Sequence, residues 1–383
     1  MKILRSASAI FTIVILLTGC GQAATPTPTA APTGTATPVP PTATPVPTET
    51  PAPTATAVRT PPALPAIYTS GLLNKLDTPH TYISDTCKYL KLRWDPNNAV
   101  PGTVVMPIMY HSVTDDDKEI TDATTVHHSY LIDTMQHAHD LGFETITTEQ
   151  LADFLENNAS IPKRSMIMIV DDRRTAENYK THFLDKLKEY NWTVTNAWIS
   201  TPLSQADLLT PLAKLVAKGW IDIQSHGVVH NVNITNASSD EYIHSEMDGS
   251  ITYIQEHFGV TPIAYIWPGG SFSQRAVEIG REDGYKLGFT INPRGPIMFN
   301  WVPLADNKDP GRPSYLPEGG VSDLLMVLPR YWSTNALEKL DEVAAIGDEA
   351  AAQAQANKAT ELEYYDIMCS STYGAIPTPE PGQ

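Results

Sequence analysis

Basic residues are scarce in this chain: 26 Lys and Arg stand against 43 Asp and Glu, for a formal charge of −17. That balance disfavours a nucleic-acid partner and remains compatible with a neutral or partly cationic glycan. Cysteine is scarcer, with three in 383 residues. Setting Cys20 aside leaves Cys87 and Cys369. Long apolar runs are also missing. The run at residues 9–17 follows Lys2 and Arg5 and is too short to span a bilayer, so it reads as an export signal. Residues 24–62 hold little besides Thr, Pro, Ala and Val and cannot bury a core. They read as an extended tether that, at ~3.1 Å per residue, reaches on the order of 120 Å. Residues 63–375 suffice for one large domain with its own core.

What is present is concentrated in two short stretches. The apolar run 166–170 ends in Asp171 and Asp172, which reads as a buried strand delivering acids to its C-terminal edge. The run 220–223 leads to Ser225-His226-Gly227-Val228-Val229-His230. On one helical turn His226 and His230 would face the same way. Two His and one Asp fill three positions around a divalent metal, leaving the fourth for water and the other Asp as a base. Paired Asp alone suits a solvated turn, and a lone HxxxH suits a surface pair. The two together, each behind its own strand, favour a shared site.

These stretches resemble the motifs of the polysaccharide deacetylases, carbohydrate esterase family four. Ile169 to Arg173 is similar to the family's T/S-F-D-D-G strand end, and His226 to His230 to its H-S/T-x-x-H. Ile266-Trp267-Pro268-Gly269-Gly270 resembles the third motif, R-P-P-Y-G. Residues 106–112, with Met109-Tyr110-His111, resemble the M-Y-H segment of the poly-N-acetylglucosamine deacetylase branch. The resemblance covers residues 104–332. It implies an α/β fold, a distorted (β/α) barrel of about seven strands with the site at the strand C-termini, and a circularly permuted motif order. It implies that Asp172, His226 and His230 hold a divalent ion, zinc by ligand type, with Asp171 as base. A backbone N–H near Gly269 or Gly270, in the turn Trp267 to Gly270, would join the oxyanion hole. The family's late general-acid His is missing, because no His follows His257. The permuted order makes His111 the expected acid. Arg173 stands where the family has Gly, and Ile266 where it has Arg. Arg173 or Arg330 is therefore the candidate to orient the base.

Leu17-Thr18-Gly19-Cys20 looks like a bacterial lipobox, which implies lipidation at Cys20 and a membrane anchor in the cell envelope. An exported chain permits a Cys87–Cys369 disulfide joining the two ends of the domain; two separate thiols are the alternative. The expected layout is a signal peptide (1–20), a disordered linker (21–62), an N-terminal extension (63–103), the deacetylase-like domain (104–332) and a helical C-terminal extension with tail (333–383). Helices are expected at 127–141, 148–156 behind an N-cap at Thr147, 211–218, 239–257, 273–282 and 334–367. A last strand is expected at 324–328, and residues 292–320 as a long loop over the site. The Ala-rich C-terminal helix would pack on the barrel or mediate association. The leading function is metal-dependent removal of N-acetyl groups from an acetylated polysaccharide. Hydrolysis of O-acetyl esters on a glycan, or a non-catalytic glycan-binding module, are the alternatives. The oligomeric state is not readable.

Overall fold

The computed structural model describes residues 59–201 and 206–377. The export signal, Cys20 and all but the end of the Thr/Pro-rich stretch lie outside the described residues. Chain order begins with β1 (Thr78–His80), α1 (Thr86–Trp94), β2 (Val104–Tyr110), β3 (Ser112–Thr114), β4 (Thr125–His127) and α2 (His128–Asp140). It continues with β5 (Phe143–Thr145), α3 (Thr148–Asn157), β6 (Arg164–Asp171), α4 (Ala176–His182), α5 (Leu184–Tyr190) and β7 (Val194–Trp198). Then come α6 (Ala206–Val216), β8 (Ile221–Ser225), α7 (Asp240–Phe258), β9 (Ala264–Ile266), α8 (Gln274–Glu282) and β10 (Leu287–Phe289). The last elements are β11 (Val302–Leu304), β12 (Tyr331–Trp332), α9 (Ala336–Met368) and α10 (Ser370–Tyr373).

The main sheet runs β10-β9-β8-β7-β6-β2-β12 and is parallel throughout, with β5 added beside the start of β6. This is the expected α/β architecture of about seven parallel strands, and the distorted barrel takes the form of a half-barrel. Every residue of β2 is buried, and so is β6 from Ser165 onward. A strand covered on both faces has to read as an unbroken apolar run, and these do. Helices alternate with the strands, and α3 carries the cap expected for it. Thr147 caps α3 in a capping box with Gln150, and Ser239 and Ser273 cap α7 and α8. β2 thus lies between β6, sixty residues on, and β12, the last strand among the described residues, so early and late parts of the domain meet in one sheet.

The segment after residue 324 departs from expectation. Leu324–Met326 is a 3-10 turn in place of a strand, and only Leu328 bridges to Phe289 of β10. The chain then crosses to pair Tyr331 with Ile108 of β2. One short segment therefore bonds to both edges of the sheet. Residues 292–320 are not a simple loop over the site either. Ile297 pairs with Val105 near the start of β2, and β11 pairs antiparallel with β1. Arg294, fully buried, joins Asp77 at 3.0 Å and Glu318 at 3.0 Å, and Arg312 adds bonds to Asp77 and Asp309 at 2.8 Å. This ion network fastens the segment to Asp77, and residues 294–305 are buried in the domain.

The Ala-rich C-terminal region is one long helix, α9, and it packs on the barrel. Gly347 lies against Gly102 just ahead of β2; a Cβ on Gly102, at φ +88°, would meet the Gly347 carbonyl oxygen at 2.5 Å. Cys87 of α1 is bonded to Cys369 at the end of α9, with 5.3 Å between Cα atoms.

Candidate active site

Parallel strands bring all their C-terminal ends to one edge, and the candidate residues gather there. His111 follows β2, Asp171 ends β6, and His226 follows β8. Asp172 adopts φ +68°, a left-handed conformation that Asp tolerates better than most side chains. That turn sends Asp172 away from the path of β6. Asn196 of β7 braces the turn, its Nδ2 donating to the carbonyls of Val170 and Asp172 at 2.8 and 2.9 Å.

Asp172, His226 and His230 converge, with their donor atoms within 4.8 Å of one another. Both imidazoles present Nε2 to the same carboxylate oxygen, Asp172 Oδ1, at 3.9 Å from His226 and 3.4 Å from His230. His226 Nδ1 lies 2.7 Å from the Ile266 carbonyl oxygen. A carbonyl can only accept, so Nδ1 carries the hydrogen and Nε2 keeps its lone pair. Burial holds the His226 imidazole below its usual pKa, which favours this neutral form. With the His226 lone pair aimed at a carboxylate oxygen, a cation fits between them, and an N₂O donor set suits a zinc-type ion. The two His are not on one helical turn. Gly227, at φ +73°, ends the strand geometry, and residues 226–230 form an irregular loop.

Asp171 lies beside this cluster, near enough for its charge to act on His226. It is 1% exposed and forms a two-pronged ion pair with Arg330, Nη1 to Oδ1 at 2.6 Å and Nη2 to Oδ2 at 3.0 Å. Arg330 is itself fully buried and also donates Nε to the Thr290 carbonyl. Burial pushes the Asp171 carboxyl up. Arg330, with His226 and His111 beyond it, more than reverses this and leaves it below the usual carboxylate range. His111 Nε2 is 3.7 Å from Asp171 Oδ2, and its ring lies nearly parallel to Trp332, with centroids 6.2 Å apart. Burial lowers the His111 pKa, partly opposed by Asp171.

Several expected residues take other places. Arg173 does not orient Asp171; its Nε and Nη2 donate to the carbonyls of Ile199 and Thr201 at 2.8 and 2.6 Å. Its side chain turns to the β7 end and leaves the acidic pair uncrowded. Trp267 is fully buried in a hydrophobic cluster and donates Nε1 to the Met326 carbonyl, so it lines the core. The Gly270 N–H is spent on the Trp267 carbonyl at 2.8 Å, which removes it as an oxyanion donor. Pro268–Gly270 is a tight 3-10 turn, and a Cβ on Gly269 would meet Asn233 Oδ1 at 3.0 Å. Arg174 reaches Asp172 Oδ2 at 3.5 Å and also the His111 carbonyl oxygen. Asn196 and Arg174 are not singled out by the sequence. An Arg beside the acidic pair was a readable hint, whereas Asn196 becomes visible only once β7 lies beside β6.

Residues 158–288 match the family model described as polysaccharide deacetylase. That span holds the Asp172, His226 and His230 cluster and Asp171, but neither His111 nor Arg330. No curated protein matches. Among solved structures, Streptococcus pyogenes deacetylase PplD in complex with acetate aligns with TM-score 0.50 and 21% identity, over 63% of this chain and 98% of that one. IcaB from Ammonifex degensii aligns with TM-score 0.46 and 15% identity, over 65% of this chain and 99% of that one. At such identities the first of these bears on the fold alone.

Proposed function

We propose that this chain, a polysaccharide deacetylase family member through residues 158–288, hydrolyses N-acetyl groups on an envelope or extracellular polysaccharide. The observation that carries the reading is the pairing of two unlike carboxylates. Asp172 faces the His226 lone pair and His230 Nε2, and its neighbour Asp171 is held ionised by Arg330. Asp172, His226 and His230 would hold a divalent ion, zinc by donor type. Bound there, it would make water more acidic and polarise the acyl oxygen. Asp171 is the base: its carboxylate accepts the proton that water gives up, and Arg330 fixes the direction of its lone pairs. His111, with Nε2 3.7 Å from Asp171 Oδ2, delivers a proton to the departing amine nitrogen. The C–N bond breaks, the acyl carbon gains the water oxygen, and acetate and a free amine result. Arg173, standing where the family has Gly, would argue for an inactive binding module if it crowded the cluster; its bonds to the Ile199 and Thr201 carbonyls speak for the catalytic reading.

The test is acetate release from a panel of N-acetylated and O-acetylated glycans, before and after chelation and with zinc restored. Release from an N-acetylated glycan that stops with chelator and returns with zinc supports the reading. Release only from esters would reassign the chain as an esterase, and none from any glycan would remove the catalytic reading. From the N-terminal sequence we also propose export and lipid anchoring at Cys20. Labelled fatty acid incorporated into the full chain, and lost in Cys20→Ala, checks it.

A further inference from the structure

Glu246 of α7 is 2% exposed, yet among the described residues no Lys, Arg or His pairs with it. A buried carboxylate without a cation is costly unless hydrogen bonds replace its water. Here two backbone groups do so. Val228 N–H donates to Oε2 at 2.9 Å, and Val229 N–H donates to Oε1 at 3.0 Å and Oε2 at 2.9 Å. Charge-assisted bonds of this kind are about twice as strong as neutral ones. Val228 and Val229 lie in the loop between His226 and His230. The approach requires Gly227, because a Cβ there would sit 2.7 Å from Glu246 Oε2 and 3.0 Å from Tyr265 Oη. The loop's carbonyls are held from the opposite side. Ser200 N–H donates to the Gly227 oxygen at 2.8 Å, and Thr201 Oγ1 donates to the Val228 oxygen.

We propose that Glu246 is a positioning residue for the metal cluster. By gripping two successive N–H groups it fixes the span between His226 and His230, and so sets the affinity of the Asp172, His226 and His230 cluster for a divalent ion before any ion arrives. The proposal rests on the reading of those three residues as ligands. The grip replaces the regular helical turn that would otherwise hold two His four residues apart.

The experiment measures zinc affinity of the full chain by competition with a chromophoric chelator, for the wild type, His230→Ala and Glu246→Gln. Glu246→Gln should bind zinc roughly 10- to 100-fold more weakly than wild type, as for other residues that orient ligands from behind. Its metal-free melting temperature and far-ultraviolet circular dichroism should stay close to wild type. A Glu246→Gln protein that melts earlier but binds zinc like wild type would reduce Glu246 to a structural role. Loss of zinc in His230→Ala with no change in Glu246→Gln would overturn the positioning role and leave the ligand assignment standing. A wild type that binds no zinc would overturn both. Hydrogen exchange in the metal-free wild type keeps the proposal testable if the variant fails to fold. The Val228 and Val229 amides should be protected without zinc, and free exchange there would overturn it.

Discussion

Arg330 and His111 do their work at the scale of single side chains. Arg330→Lys keeps the charge and loses the planar fork that meets both Asp171 oxygens. It should lower kcat on an N-acetylated glycan by about 10-fold or more and leave zinc content unchanged; zinc loss alongside would mean Arg330 supports the cluster as well. His111→Ala should cost roughly a hundredfold or more on the amide, as expected when a general acid is lost. An activated aryl acetate, whose leaving group needs no proton, should suffer far less. Equal losses on both substrates would give His111 a positioning role. Asp171, Asp172 and His226 were legible because each stands at the end of an apolar run, a local signal, and His230 because it lies four residues from His226. Choosing Arg330 over Arg173 was not legible, because Arg330 meets Asp171 across 159 residues of chain. Glu246 was hidden for the same reason: in sequence it is one acid among several on α7, and its meaning comes from the N–H groups it meets.

Elements were the most legible level wherever periodicity and caps agree. The cap at Thr147, the helix starts near Ser239 and Ser273 and the buried runs of β2 and β6 are written in the sequence. Residues 324–328 misled because an apolar run of that length suits a strand or a buried turn equally well. The 292–320 segment misled because Pro and Gly announce irregular backbone without saying where it lies. Its location is fixed by charges far apart in sequence, Asp77 with Arg294 and Arg312. Removing one partner of a fully buried pair leaves a charge uncompensated. Asp77→Ala should therefore destabilise the domain by about 3–5 kcal/mol. Urea unfolding followed by tryptophan fluorescence would measure it. A change below about 1 kcal/mol, the range of an exposed pair, would show that the network is not closed to water.

At the scale of the molecule, the Cys87–Cys369 bond ties α1 to the end of α9 across 282 residues of chain. Cys87→Ser with Cys369→Ser should lower stability by about 2–4 kcal/mol, the common range for a native bridge. Zinc affinity should not move, because the bond lies away from the strand ends that carry the cluster. Reducing agent should destabilise the wild type and leave the double variant where it is. An unchanged midpoint in both experiments would remove the bridge from the account of stability. The place of β2 between β6 and β12 has a further consequence, which concerns time. A ribosome makes β2 early, and β6 joins it soon after, but its other neighbour arrives only when residues 331 and 332 emerge. Arg330 emerges just ahead of them. Until that moment a nascent chain holds Asp171 without its guanidinium, so the order of synthesis leaves the Asp171–Arg330 pair unformed until residue 330 has been made.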